Sequence, residues 1–301
     1  MILPCKKDYN LTMDEIKELD QSHWPPALLE IPEPPKQLYL IGKLPPVVDD
    51  FIYLTVVGSR KFSHYGREVC QKLIAGLAGY NIVIVSGLAL GIDSIAHREA
   101  LKVGLKTVAW PGSGLARDSI YPRTNYLLAQ EILKNGGALL SEFSPETKAA
   151  PYTFPRRNRL MAGLAKAVLI IEAGNKSGTL ITARLALDYN REVLAVPSSI
   201  FSTSGIGSNK LIKEGATPIT ESQDILDVLG LTNNEEQSLP LNEIQLEPKE
   251  KVVYELLVFE PLDRDSLIEK INLPINETNS LLSIMEVKGL IKETGGLFTI
   301  L

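Results

Sequence analysis

Phe154-Pro155-Arg156-Arg157-Asn158-Arg159 sets three arginines within four positions, in a stretch that holds no acid at all. From Thr147 to Ile171 the charged residues are Lys148, Arg156, Arg157, Arg159 and Lys166. Charges on soluble surfaces are usually mixed in sign, so a run of one sign asks for a counter-charge. Phosphate suits it, because a guanidinium fork matches phosphate geometry and is weakly hydrated. A solvated basic face or internal salt bridges would satisfy the same six residues, and this stretch alone leaves both readings open.

Other segments repeat the theme. Gly58-Ser59-Arg60-Lys61 follows an apolar run and precedes a helical pattern. Backbone amides at a helix start, a hydroxyl and a guanidinium together make an anion cradle. Ser86-Gly87-Leu88-Ala89-Leu90-Gly91-Ile92-Asp93 is glycine-rich in the same position, with Asp93 expected to cap a helix and His97 to pack. Tyr121-Pro122-Arg123-Thr124-Asn125 adds an arginine, and Glu172-Ala173-Gly174-Asn175-Lys176-Ser177-Gly178-Thr179 adds a lysine and hydroxyls. The candidate anion-binding set is therefore Gly58, Ser59, Arg60, Lys61, Gly87, Arg123, Phe154, Arg156, Arg157, Asn158, Arg159, Lys176, Ser177 and Thr179. Several separate phosphate-friendly loops suit a polyanion strand better than one mononucleotide.

Familiar alternatives fail on residues. Gly112-x-Gly114-x-x-Arg117 lacks the third glycine of the dinucleotide fingerprint, and no Walker A sequence occurs. Three histidines and two cysteines, Cys5 and Cys70, give little for a metal centre or disulfide framework. No metal or cofactor is expected. No Ser-His-Asp or Cys-His set is apparent at motif level.

The elements that must position these loops alternate. Apolar runs fit buried parallel strands at Tyr53–Val57, Ile82–Val85, Thr107–Trp110, Ala138–Leu140, Ala167–Ile171 and Val193–Val196. Helical patterns fall between them at Tyr65–Gly79, Ile92–Val103, Pro122–Asn135, Asn158–Leu164 and Thr179–Asn190. Repeated β-α units predict an α/β, Rossmann-like doubly wound, mostly parallel sheet. Before it, residues 1–50 read as an acidic, proline-rich lead-in with one short edge strand at Leu38–Gly42. The Rossmann-like domain spans 51–229, a polar acidic linker covers 230–248, and residues 249–301 read as three helices and a hairpin, a winged-helix pattern.

Charge divides the same way. The formal net charge is −5, yet residues 58–220 hold 20 basic against 11 acidic residues, a net of +9. The remainder holds 11 basic and 25 acidic residues, a net of −14. That asymmetry predicts a polyanion-binding core with acidic flanks. The winged-helix segment carries 6 basic and 9 acidic residues, and Asn276–Ser283 has no Arg or Lys. Since phosphate contacts dominate the affinity of groove-binding modules, this unit is expected to contact protein rather than read DNA. There is no run of 18 apolar residues and no signal-peptide core, so a cytoplasmic location is expected.

Taken together, these motifs resemble the DNA-processing protein A (DprA, or Smf) family. The resemblance runs through Gly58-Ser59-Arg60, Ser86-Gly87-Leu88-Ala89-x-Gly91-Ile92-Asp93-x-x-Ala96-His97, Tyr121-Pro122-Arg123-x-Asn125, Phe154-Pro155-x-Arg157-Asn158-Arg159, and Ser177-Gly178-Thr179-Leu180-x-Thr182-Ala183. It implies a non-enzymatic protein that binds single-stranded DNA, accommodates single-strand-binding protein and loads RecA recombinase during natural transformation, as a homodimer. It also implies backbone contacts from Arg60 and Arg123, with Lys176 and Arg156–Arg159 in the same pocket. By this likeness the dimer would form through the segment around Leu211, Ile212 and Ala216. Phe154 is a candidate for stacking on bases, with core packing an equal alternative. The rival reading is a nucleotide phosphoribohydrolase, whose Pro-Gly-Gly-x-Gly-Thr-x-x-Glu motif ends in a catalytic glutamate. Thr182 stands at that position here.

Overall fold

The structure, a computed structural model, describes residues 16–45, 51–231, 247–259, 262–271, 273–288, 290–294 and 296–300. It divides into two compact units, Met1–Thr232 and Asn233–Leu301. Most of the expected linker lies outside the described residues, as does the start of the lead-in.

In the first unit, β1 (Lys17–Glu18) and β2 (Tyr39–Gly42) precede a strand-helix alternation. It runs β3 (Ile52–Val57), α1 (His64–Ala75), β4 (Ile82–Ser86), α2 (Ile92–Lys102), β5 (Lys106–Ala109), α3 (Tyr126–Lys134), β6 (Ala138–Ser141) and α4 (Thr153–Leu164). It continues with β7 (Ala167–Ile170), α5 (Thr179–Asp188), β8 (Glu192–Ala195), α6 (Ile206–Lys213), β9 (Thr217–Pro218) and α7 (Ser222–Leu229). The sheet order is β1-β2-β6-β5-β4-β3-β7-β8-β9, parallel from β6 to β9 with β2 and β1 antiparallel at one side. The expected doubly wound sheet is what forms.

Period-two geometry explains why its strands are apolar throughout. Leu54 and Val56 of β3, Ile82 and Ile84 of β4, and Ala167 and Leu169 of β7 face one core with α1, α2 and α7. Tyr53 and Val57, Val83 and Val85, and Val168 and Ile170 face the other, with α4 and α5. Each strand feeds two cores, so neither face tolerates a polar residue without a partner. Thr55 meets that demand by donating to the Met161 carbonyl at 2.8 Å.

Two expectations are corrected, and a third segment gains a role. Leu38–Gly42 is not an edge strand, because β2 lies between β6 and β1. Over its described part the proline-rich lead-in packs: Trp24, Leu28, Ile31 and Leu38 are buried against α4 in the main core. Its prolines break helix periodicity without preventing burial. Helix α4 begins at Thr153 rather than Asn158, since Pro155 falls in the first turn, where its missing N–H costs nothing.

His97 sits fully buried on α2, its Nδ1 2.7 Å from the Thr107 hydroxyl. Burial pushes the imidazole down to about 3. The unfolded chain takes up this proton near pH 6.5 and the folded chain does not, so stability falls as pH drops through that window. His97→Gln is expected to make the fall shallower, by at most about 1.4 kcal/mol per pH unit. Denaturant midpoints of both proteins across that range measure it.

The second unit runs α8 (Pro248–Phe259), β10 (Leu262–Asp263), α9 (Arg264–Ile271), α10 (Ile275–Val287), β11 (Ile291–Thr294) and β12 (Leu297–Ile300). Its antiparallel sheet has the order β10-β12-β11 over a core that includes Val253, Leu267, Leu282, Met285 and Phe298. This is the expected winged helix.

Candidate nucleic-acid interface

Strands β4, β5 and β6 are laid down on one side of β3, and the chain then returns to place β7 on the other side. Ligands of open α/β sheets sit beyond the carboxyl ends of strands where the winding reverses. That reversal lies between β3 and β7, whose exits carry Gly58-Ser59-Arg60-Lys61 and Gly174-Asn175-Lys176-Ser177.

An open groove of about 600 Å³ lies there. Arg60, Lys61 and Lys176 supply cations, and Ser59, Ser177, Thr179 and Thr182 supply hydroxyls. Phe154, Met161 and Ile181 give it an apolar lining. Arg60, Lys61 and Lys176 are exposed, and none forms an ion pair among the described residues. Gly58, Phe154 and Asn158 also line this groove.

The loops that shape the groove interlock. Ser59 donates its N–H to the Glu172 carbonyl at 2.8 Å, and its hydroxyl donates to the Lys61 carbonyl at 2.7 Å. Gly91 has φ +88°, and a Cβ there would sit 2.3 Å from the Ser59 carbonyl oxygen. The β4 exit thus touches the β3 exit, and only glycine fits both the backbone and the gap. The Glu172 carboxylate accepts from the Ser63 N–H at 2.9 Å and from the Ser204 hydroxyl at 2.5 Å, tying three loops together.

Phe154 is half-buried at the groove edge rather than in the core. The Arg60 guanidinium lies over its ring at 5.0 Å, and Tyr121 meets it at a centroid distance of 5.9 Å. Arg60, Tyr121, Pro122 and Leu90 enclose a small cleft against it.

The arginine-rich segment divides, because helical residues point in successive directions around the axis. Arg157 reaches inward and is buried, donating to the Gly87 carbonyl at 2.6 Å and the Trp110 carbonyl at 2.5 Å. Burial lowers its guanidinium to about 10, against the opposing charge of nearby Asp93. Arg159 is buried on the other side, bonded to the Glu142 carboxylate and the Glu33 carbonyl. Arg156 pairs with Glu142 at 3.0 Å and covers the Phe143 ring. Arg157 still borders the groove floor, whereas Arg156 and Arg159 are not among its lining residues. For this segment the internal salt bridges are realised, and the expected basic cluster is not an open phosphate patch.

Two more candidates are placed differently from expectation. Gly87 borders the small cleft, but its N–H goes to Asp93 at 3.1 Å and its carbonyl to Arg157, so its backbone is committed. Arg123 is exposed outside the groove, donating to the Arg117 carbonyl at 2.6 Å and pairing with Asp118 at 3.3 Å. Asp93, expected as a cap, instead accepts from the Gly87 and Ala89 N–H groups behind it and reaches the groove floor. Burial raises its carboxyl, while Arg157 and those amides oppose the shift. Met161 and Ile181 escaped the sequence reading, and Thr182 entered it only through motifs, because apolar and hydroxyl helix residues carry no signal of facing a groove.

Similarity to known proteins agrees with this geometry. Residues 15–230 match the family described as DNA recombination-mediator protein A, and residues 237–296 match the DprA winged helix domain. The chain belongs to the DprA/Smf family. It is 42% identical to Protein Smf of Escherichia coli over 210 residues, which cover 70% of this chain and 55% of that one. It is 42% identical to DNA processing protein DprA of Streptococcus pneumoniae over 203 residues, 67% of this chain and 70% of that one. The crystal structure of the pneumococcal protein superposes with a TM-score of 0.63 at 37% identity, covering 71% of this chain and 74% of that one. DNA processing protein A from Helicobacter pylori, solved in a study of its single-stranded DNA binding mode, superposes with a TM-score of 0.64 at 33% identity, covering 71% of this chain and 95% of that one. The chain thus spans just over half the length of the E. coli relative. Among the described residues no helix is long and apolar enough to cross a membrane.

Proposed function

We propose that this protein binds single-stranded DNA in the groove between β3 and β7 and acts as a recombination mediator, protecting incoming strands and loading RecA recombinase onto them. The observation that carries this reading is three exposed cations without ion pairs among the described residues, set around Phe154 at the switch point of the sheet. Arg60, Lys61 and Lys176 hold phosphates, Ser59 and Ser177 shape their loops, and Phe154 offers its free face to a base. Such contacts recognise backbone and ring, so binding is sequence-independent. The protein binds rather than catalyses: Thr182 cannot act as an acid-base group, and Asp93 is held on two amides. Family membership supports the reading.

The division of labour follows charge. Residues 51–229 bind DNA, while residues 249–301 contact protein; in that unit Lys249, Arg264 and Lys288 already pair with Glu277, Glu293 and Glu250. A twofold homodimer would present two grooves to one strand and raise avidity. Of the segment around Leu211, Ile212 and Ala216, Leu211 and Ala216 are buried in the core and Ile212 is partly buried, so the proposed interface draws on exposed neighbours such as Ile206. The dimer therefore rests on exposed residues, and light scattering measures it.

Fluorescence anisotropy of a labelled strand of about thirty nucleotides, with duplex as competitor, tests the main reading. Tight, salt-sensitive, duplex-resistant binding is expected. No binding at low salt would move the phosphoribohydrolase reading forward, to be checked by release of free base from a nucleoside monophosphate. RecA-driven strand exchange on strands coated with single-strand-binding protein tests the loading step.

A further inference from the structure

Phe201 and Ile200 lie at the tip of the loop that leaves β8, with relative exposures of 91% and 83%. A phenyl ring and a branched aliphatic side chain side by side in water are an unusual use of apolar surface. The loop that carries them is tethered at both ends. Asn209 accepts from the Ser198 N–H at 2.9 Å and donates to the Ser198 carbonyl at 2.8 Å. The Tyr65 hydroxyl donates to the Pro197 carbonyl at 2.8 Å, and Ser204 is bonded to Glu172. Between these ties, the Ser202 N–H donates to the Ser199 carbonyl at 3.0 Å, closing a turn around the two side chains.

The loop adjoins the groove. Gly174 lines the groove, and a Cβ there would lie 3.7 Å from the Thr203 carbonyl oxygen. Phe201 is two residues from Thr203, within about 7 Å of extended chain. Glu172 joins the same loop to the helix start that follows Arg60 and Lys61. The segment itself is basic: from Val193 to Lys213 there is no acid, while Lys213 is exposed and Lys210 pairs with Glu214 at 3.7 Å. Hydroxyl residues Ser198, Ser199, Ser202, Thr203 and Ser204 fill the rest of the loop.

We propose that Phe201, flanked by Ile200, is a second stacking platform, taking a base of the strand as it leaves the groove past Gly174 and Lys176. This rests on the single-strand reading above. A base has an apolar face that a phenyl ring can cover, and stacking tolerates every sequence. The groove then holds the phosphates and one base at Phe154, and the β8 loop sets the direction in which the strand continues.

The test compares Phe201→Ala, Phe201→Trp and wild type on an oligothymidylate of about eight nucleotides and one of about thirty. Phe201→Ala is expected to weaken the long strand about tenfold, to leave the short strand unchanged, and to leave the salt slope unchanged because no charge is removed. Phe201→Trp should retain binding and gain an emission that the long strand quenches, against the buried Trp24 and Trp110 of the wild type. Equal long-strand affinity for Phe201→Ala and wild type would overturn the platform while leaving the groove reading intact. Weakening that coincides with a change from dimer to monomer in light scattering would also overturn it, and would assign the loop to a second copy of the chain. If wild type bound neither strand, both readings would fall together.

Discussion

Arg60→Ala is expected to weaken single-strand binding by about ten- to a hundredfold, the range for loss of a charge-assisted hydrogen bond to phosphate. Arg60 is exposed at the β3 exit, unpaired among the described ion pairs, with its guanidinium over Phe154. On the proposed reading its removal takes away a phosphate contact and leaves Phe154 without the cation over its ring. The slope of log affinity against log salt should fall by about 0.7, the share of one neutralised phosphate on a single strand. Arg60→Lys should keep the slope and lose part of the affinity, since lysine keeps the charge but not the planar fork. Arg123→Ala should lose less, because Asp118 and the Arg117 carbonyl already hold that guanidinium. Anisotropy titrations at several salt concentrations separate these cases. An Arg60→Ala protein with wild-type affinity and slope would remove the groove from consideration.

Arg157→Met is expected to act on the fold, and by more than a variant of any exposed groove cation does. Arg157 is buried, and its guanidinium satisfies two carbonyls from different strand exits, those of Gly87 and Trp110. Asp93 holds the N–H of the same Gly87 residue. Removing the cation strands two carbonyls and leaves a buried carboxylate without its offsetting charge. Breaking a buried charge pair in this way costs about 3–5 kcal/mol. In a unit of this size that corresponds to a drop in Tm of roughly 6–20 °C. The double variant Arg157→Met with Asp93→Asn should recover part of the loss, because the surviving charge is gone. Thermal melts of the single and double variants measure this directly. A single variant that melted with wild type and bound DNA poorly would return Arg157 to the role of a phosphate contact.

The contrast between these two arginines marks the limit of the linear reading. The doubly wound sheet was legible in the sequence because buried parallel strands must be apolar on both faces, and the runs at β3, β4 and β7 are apolar on both. The winged helix was legible because its three helices and hairpin carry local periodicity and turn residues. The family was legible because its loops need glycine where backbones touch, as at Gly91 against Ser59.

The burial of Arg157 and Arg159 was not legible. Whether a basic residue on α4 meets solvent or a carbonyl depends on the angle at which the helix leaves the loop, and the helical pattern begins at Asn158 in the sequence whereas α4 starts at Thr153 with Pro155 in its first turn. The packing of the lead-in was hidden for a related reason, since Trp24, Leu28 and Ile31 lack a regular period. By itself, then, the sequence determined the fold, the family and an excess of basic residues in the core, all of which follow from local pattern. Only the tertiary structure decided which cations stay free for phosphate. A charge is available to a ligand only when no carboxylate or carbonyl of its own chain reaches it first, and those partners lie up to 164 positions away in sequence.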